Sequence, residues 1–237
     1  MTSIPFRVAS YNLQKCVGLD LRRRPDRSLT VIEALDAQIV ILQEADKRLP
    51  PRPAALPHEM AEAQGWRIAG FGQQGSAGGG SLGWHGNAML LRDSIGLEVT
   101  HHIELPGLEP RGAICADLDT PIGPLRVVGA HLGLIRRYRL MQLQAIMRFL
   151  RKLPERPTVL AGDFNEWGSA RALDVATHGL DILPERPSFP APRPVAALDR
   201  FALSPELEAS GHGAYSGRPA RMASDHLPVW ADLRLKR

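Results

Sequence analysis

Short apolar runs recur along the 237-residue chain, separated by segments rich in glycine, proline and charge. The runs at 8–11, 39–42, 87–91, 113–118, 126–130, 158–161, 198–203 and 228–233 predict strands. A run such as Ile39-Val40-Ile41-Leu42 has no polar alternation, the pattern of a strand covered on both faces. The last run does alternate, with Val229, Ala231 and Leu233 sharing a side. Helical spacing follows Asp26, a good N-cap residue, where Leu29, Ile32 and Leu35 predict a helix as far as Asp36. Leu140, Leu143, Met147 and Leu150 predict a longer helix over 137–153, stopped by Pro154 and Pro157. A shorter helix is expected up to Gln64. The proline-rich stretches 50–57 and 184–194 read as loops. So does the glycine-rich stretch 72–86, either as a surface loop or as a lid over substrate. His101-His102 reads as part of a polar surface connection.

Several polar residues fall where apolar runs stop. Asn12 follows 8–11, Glu44 follows 39–42, His131 follows 127–130 and Asp163 follows 159–161. Strand ends are where α/β scaffolds hold ligand groups, on loops carried by a rigid core. Four in succession are hard to explain as solvated strand ends.

Composition narrows the classes. Apolar residues make up 44% and charged residues 23%, the balance of a folded globular protein able to bury a core without disulfides. Cys16 and Cys115 form no metal or disulfide framework and are expected as buried thiols. No signal-peptide pattern or long apolar run is present, so a cytoplasmic protein without a transmembrane segment is expected. The net charge is +4, and the basic residues are nearly all arginine, whose planar fork suits phosphate. Known catalytic signatures fail: Glu62 stands where a zincin following His58-Glu59 needs histidine, Gln74 breaks the nucleophile elbow at Gly75-Ser76, and no Gly-Lys-Ser/Thr marks a nucleotide loop.

The remaining chemistry is that of phosphate. Hydrolysis of a phosphoester needs charge neutralised on the phosphoryl oxygens and a water oriented for in-line attack. Asn12 and Glu44 offer the hard oxygen ligands that Mg²⁺ or Mn²⁺ takes. In Gly162-Asp163-Phe164-Asn165, Gly162 permits a tight turn, and an extended backbone would put Asp163 and Asn165 on one side. Asp163 would hold the water and Asn165 would donate to a phosphoryl oxygen. His226, in Ser224-Asp225-His226, suits a proton acceptor or a transition-state stabiliser, with Asp199 as the carboxylate that orients it.

In their order, Tyr11-Asn12, Leu42-Gln43-Glu44, Gly86-Asn87-Ala88, Ala130-His131-Leu132-Gly133, Gly162-Asp163-Phe164-Asn165, Leu198-Asp199-Arg200 and Ser224-Asp225-His226-Leu227-Pro228 resemble the endonuclease/exonuclease/phosphatase family. That family includes pancreatic deoxyribonuclease, apurinic/apyrimidinic endonucleases, neutral sphingomyelinases and inositol-polyphosphate phosphatases. The resemblance implies one domain over 1–237, folded as a four-layered α/β sandwich of two packed β-sheets flanked by helices. It implies metal binding by Asn12, Glu44 and Asp225, water positioning by Asp163, phosphate contacts from Asn165 and His131, and a dyad of Asp199 with His226. Asn87 and Arg111 match less diagnostic family positions, as phosphate-binding or site-shaping residues; a structural ion pair is the other reading of Arg111. Asn12-Leu13-Gln14-Lys15, the Ser188-Phe189-Pro190 stretch and Asp163-Phe164-Asn165-Glu166-Trp167 are similar to small bacterial metal-dependent hydrolases of the family.

The substrate stays open at this level. A small or lipid-derived phosphodiester is favoured over nucleic acid, because only 5% of residues are aromatic and stacking platforms are few. The arginines at 22–24 and at 136, 137 and 139 keep a nuclease in play, the second cluster as a lining of the site entrance. A catalytically silent anion-binding scaffold would lack a key residue, and none of the main set is missing. Oligomeric state is not legible.

Overall fold

The computed structural model describes residues 5–46, 53–71, 80–169 and 171–236. The expected lid, 72–86, therefore lies outside the described residues over 72–79.

Two mixed sheets of six strands each carry the chain. The first contains β1 (Phe6–Asn12), β2 (Ile39–Gln43), β3 (Arg67–Ile68) and β4 (Ala88–Leu91), with β11 (Leu207–Ala214) and β12 (Val229–Leu235). Its order is β11-β12-β1-β2-β4-β3. The second contains β5 (Gly96–Leu105), β6 (Arg111–Thr120), β7 (Gly123–His131), β8 (Thr158–Asp163), β9 (Asp181–Ile182) and β10 (Asp199–Leu203), in the order β5-β6-β7-β8-β10-β9.

Strand alternation sorts side chains into three apolar layers. Val8, Ile39 and Ile41 of the first sheet meet Ile114, Val127, Val159 and Phe201 of the second between the sheets. The intervening residues Ala9, Tyr11, Val40 and Leu42 face outward onto helices α1 (Pro25–Glu33) and α2 (His58–Glu62), through Leu29, Ile32 and Ala61. Cys115, Val128 and Leu160 face outward from the second sheet onto α3 (Arg136–Leu150) and α4 (Arg171–Asp174). The result is the expected four-layered α/β sandwich. Gly129 faces the opposite sheet, and a Cβ there would lie 2.6 Å from Ile41 Cγ2, so glycine lets the layers approach.

Each sheet holds one parallel pair, β1 with β2 and β7 with β8. A parallel pair needs a crossover, supplied by α1 in one case and α3 in the other. Both strands of such a pair end at the same edge. Asn12 thus lies beside Gln43, and His131 beside Asp163. The antiparallel partner β10 begins at the same edge, with Asp199 opposite Asp163.

The structure departs from expectation in places. His101 and His102 are not in a connection; they belong to β5, and the His102 ring stacks on Trp84 at 4.3 Å. β11, β3 and β9 were not foreseen from the apolar pattern, nor were the four-residue helices α4 and α5 (Ala220–Ala223). Asp26 does not cap α1: Arg24 is the N-cap, Pro25 opens the helix, and the Asp26 carboxylate pairs with Arg24. The helix stops at Glu33, and Asp36 takes a left-handed φ of 50°. Cys16 and Cys115 are buried free thiols, pushed up by burial to about 11 and about 12.

Candidate active site

At one end of the sandwich the central strands of both sheets bring their terminal residues together. From the first sheet come Asn12, which ends β1, Glu44, just past β2, and Asp225 with His226, just before β12. From the second come His131, Asp163 and Asp199.

Asp163 joins the two halves. Its Oδ2 accepts a hydrogen bond from Asn12 Nδ2 at 3.0 Å, across 151 positions of sequence. His131 Nε2 lies 3.4 Å and His226 Nε2 3.7 Å from the same oxygen. Oδ1 accepts from the Asn165 N–H at 2.9 Å. The carboxyl is buried, which pushes its pKa up to about 7; His226 opposes that rise and Asp199 adds to it.

Behind His226 stands Asp199. Its Oδ2 lies 2.8 Å from His226 Nδ1 and accepts from Ser188 Oγ at 2.6 Å. Burial works against a charged His226, but the Asp199 and Asp163 carboxylates outweigh it and raise the imidazole to about 10. With Nδ1 held by Asp199, Nε2 is directed toward Asp163. The ring also packs against Phe189, 5.0 Å between centroids, in a loop pinned by the Ala191 N–H on the Asp225 carbonyl.

Gly162 does not make the turn that the motif suggested. It lies inside β8 at φ 150°, where a Cβ would sit 1.9 Å from the Ala130 carbonyl oxygen. The turn comes at Asn165, at φ 51°, so Asp163 and Asn165 are not on an extended stretch. Asn165 Nδ2 donates to the Leu132 carbonyl at 2.9 Å, tying the loop after β8 to the loop after β7. Of the eight non-glycine residues with positive φ among those described, seven sit in connections at this end, Glu44 and Asn165 among them. Backbone in that region is costly and is held only where surrounding contacts enforce it.

Asp163, Asp199 and His226 each bring one ligand atom within 4.8 Å of the others. Distance alone would allow a metal among them, but Asp199 Oδ2 is committed to His226 Nδ1, and an imidazole nitrogen suits a softer metal than Mg²⁺ or Mn²⁺. The opposite side is built from oxygen. Burial raises the pKa of Asp225, His226 opposes that rise and Glu44 adds to it, so two carboxylates are held within reach of each other's charge. Asn12 Oδ1 accepts from the Gln14 N–H at 3.0 Å and keeps a second lone pair. Lys15 pairs with Glu44. All-oxygen donors with surplus negative charge fit Mg²⁺ or Mn²⁺.

Asn87 and Arg111 stand at the same end but serve local structure as found. Asn87 Nδ2 donates to the Gly112 carbonyl at 2.9 Å, while its Oδ1 is buried without a partner. Arg111 is buried and pairs with Glu109 at 2.8 Å. Arg139 does not line an entrance: it is buried and bridges α3 to Glu166 at 3.0 Å. Four supporting residues carry no strong signal of their own in sequence: Ser188 on Asp199, Lys15 on Glu44, Gln14 on the Asp225 N–H, and Ser224, whose Oγ donates to the Asn12 carbonyl. All four lie in or beside the motifs that carry the resemblance.

A fold of this kind with this site defines a class, and sequence comparison agrees. The family described as the endonuclease/exonuclease/phosphatase family matches residues 9–226, and the chain belongs to it. It is 32% identical over 164 residues to the uncharacterized protein YbhP of Escherichia coli (strain K12). That match covers 65% of this chain and 64% of YbhP. An endonuclease/exonuclease/phosphatase family protein from Bacteroides thetaiotaomicron superposes with a TM-score of 0.78 at 20% identity, covering 99% of both chains. The mannosyl-6-phosphatase Bt3783 of Bacteroides thetaiotaomicron gives 0.75 at 20% identity, covering 96% of this chain and 99% of that one. TDP2 of D. rerio, complexed with a single-stranded DNA product, gives 0.73 at 16% identity, covering 97% and 98%. At these identities the solved structures share the fold.

Proposed function

We propose that the chain is a divalent-metal-dependent phosphoesterase that hydrolyses phosphodiesters. The observation that carries this reading is the buried Asp163 carboxylate, shared by Asn12, His131 and His226 where the two sheets meet. Asp163 orients a water in line with the P–O bond to be broken and accepts its proton as the new P–O bond forms. His131 and His226 Nε2 donate to the phosphoryl oxygens, whose charge grows in the transition state. Asn165, one hydrogen of whose amide is held by Leu132, offers the other to the phosphate. The leaving oxygen departs on the side opposite the water and takes a proton from solvent. Mg²⁺ or Mn²⁺, held by Asn12, Glu44 and Asp225, would supply charge neutralisation on the phosphoryl group. Asn87 and Arg111 shape the wall of this site. Residues 1–237 act as one domain, since the site draws on both sheets.

The test is turnover of bis(p-nitrophenyl) phosphate with Mg²⁺ or Mn²⁺. Asp163→Asn should lower kcat by about 10²–10⁴-fold, the usual worth of a positioned base, with the melting temperature preserved. EDTA should abolish activity and added metal restore it. Full activity in EDTA would overturn the metal assignment.

A further inference from the structure

The end of the sandwich that carries the site is also where large apolar side chains are exposed. Of twelve such residues among those described, eight sit at this end, seven on loops and Met222 on α5. Leu19, Leu21 and Met222 cluster, joined by the Leu19 N–H on the Met222 carbonyl at 3.1 Å. Leu108, Leu134 and Ile135 wall one cleft. Trp167, 67% exposed, packs edge-on against Phe189 at 5.8 Å, and Val195 stands on the same loop as Phe189. At the other end the turns 34–38, 92–95, 120–123, 151–157 and 204–206 expose none, and the exposed apolar side chains are Val175, before β9, and Leu97, at the start of β5.

Charge at this end leans positive, with Glu104 near the end of β5 an exposed carboxylate against the trend. Arg22, Arg23, Arg136, Arg137, Arg193 and Arg218 are all exposed there. The exposed carboxylates Asp20, Asp26, Glu109 and Glu185 are each paired with a different arginine: Arg27, Arg24, Arg111 and Arg200. The first six arginines are therefore not balanced by them.

Exposed aliphatic tips among surplus guanidinium groups match one kind of surface. Apolar side chains enter the acyl boundary of a bilayer while arginines stay at the level of anionic headgroups. Single-stranded nucleic acid would call for stacking faces, and only Trp167 of the eight is aromatic. A protein interface is anchored on buried aromatic side chains, of which these eight residues supply only Trp167.

We propose that this end of the sandwich docks on an anionic phospholipid surface, and that the ester delivered to Asp163 is a lipid headgroup phosphodiester. The second half rests on the phosphoesterase reading; the docking does not.

Docking is measured by sedimentation with vesicles of phosphatidylcholine alone, or with about a third phosphatidylglycerol. Asp163→Asn in EDTA prevents turnover during the measurement. Binding is expected to the anionic vesicles, to weaken with salt, and to fall about tenfold or more when Leu21→Ser, Leu134→Ser and Val195→Ser are combined. The same three changes in an otherwise native chain should leave hydrolysis of soluble bis(p-nitrophenyl) phosphate unchanged, which also shows that the variant folds. No binding to anionic vesicles overturns the proposal, as does binding that the three serines leave intact. Oligonucleotide binding that the serines abolish, with vesicles ignored, overturns it in favour of nucleic acid. Vesicle binding without hydrolysis of any phosphodiester would leave docking standing and remove the phosphoesterase reading.

Discussion

The candidate site separates residues that would touch substrate from residues that position them. Asp199 belongs to the second kind: its Oδ2 holds His226 Nδ1 and Ser188, and it reaches the reaction only through the imidazole. An amide at 199 would keep the shape while offering Nδ1 a neutral partner that can equally well donate, losing the preference for one ring state. Asp199→Asn is therefore expected to lower kcat on bis(p-nitrophenyl) phosphate about a hundredfold. KM should stay within about twofold, because the residue is assigned to orientation rather than to binding. Steady-state kinetics on the variant decide it. A purely structural role would instead lower the active fraction and the melting temperature, with kcat per folded molecule unchanged.

At the scale of elements, what the sequence made legible follows the layers of the fold. All eight inner strands stand out as apolar runs, β12 by the alternation of a strand fully covered on one face and the rest by nearly continuous burial. The four strands that escaped, β3, β5, β9 and β11, are the four sheet edges. β5 buries only Ile103 and Leu105, and β11 carries Gly211 and Gly213 where an inner strand would carry aliphatics. Edges are kept short or polar to discourage further pairing, so apolar patterning does not mark them. Nor does apolar patterning mark the Arg139–Glu166 bridge, two charged residues that are buried together. Burial opposes ionisation of Glu166, but the Gly168 N–H and Arg139 outweigh it and hold the carboxyl below its ordinary value of 4.5. A depressed folded-state pKa gives stability above about pH 4.5 that is lost as pH falls through the folded value. Glu166→Ala should thus cost about 3 kcal/mol at neutral pH, since it strands the buried guanidinium. Its melting temperature should also fall less steeply than that of the native chain between about pH 6 and pH 3. Parallel melting curves for the two proteins would show that the bridge carries no linkage.

At the scale of the molecule, the motifs were legible in order but their convergence was not. Nothing local in Asn12 or Asp163 says that they meet across 151 positions; that follows from both sheets ending their parallel pairs at one edge. The family resemblance supplied the convergence that spacing could not. The middle layer has a consequence for unfolding. Val8, Ile39 and Ile41 lie in the layer shared with the opposite sheet, and Gly129 lets Ile41 sit against the backbone of β7. Separating the sheets would expose that whole apolar layer to water at roughly 25 cal/mol per Å², leaving neither sheet with a closed core. Residues 1–237 are therefore expected to unfold as one cooperative unit despite a length at which intermediates become common. Trp66 is buried against α1 and Trp230 packs at the edge of that cluster, so in a Trp84→Phe, Trp167→Phe variant fluorescence reports on the first sheet. Far-ultraviolet circular dichroism reports on both sheets. Urea titrations followed by the two probes should give coincident midpoints, whereas a second transition seen only by circular dichroism would mean that the second sheet, with α3, holds together without the first.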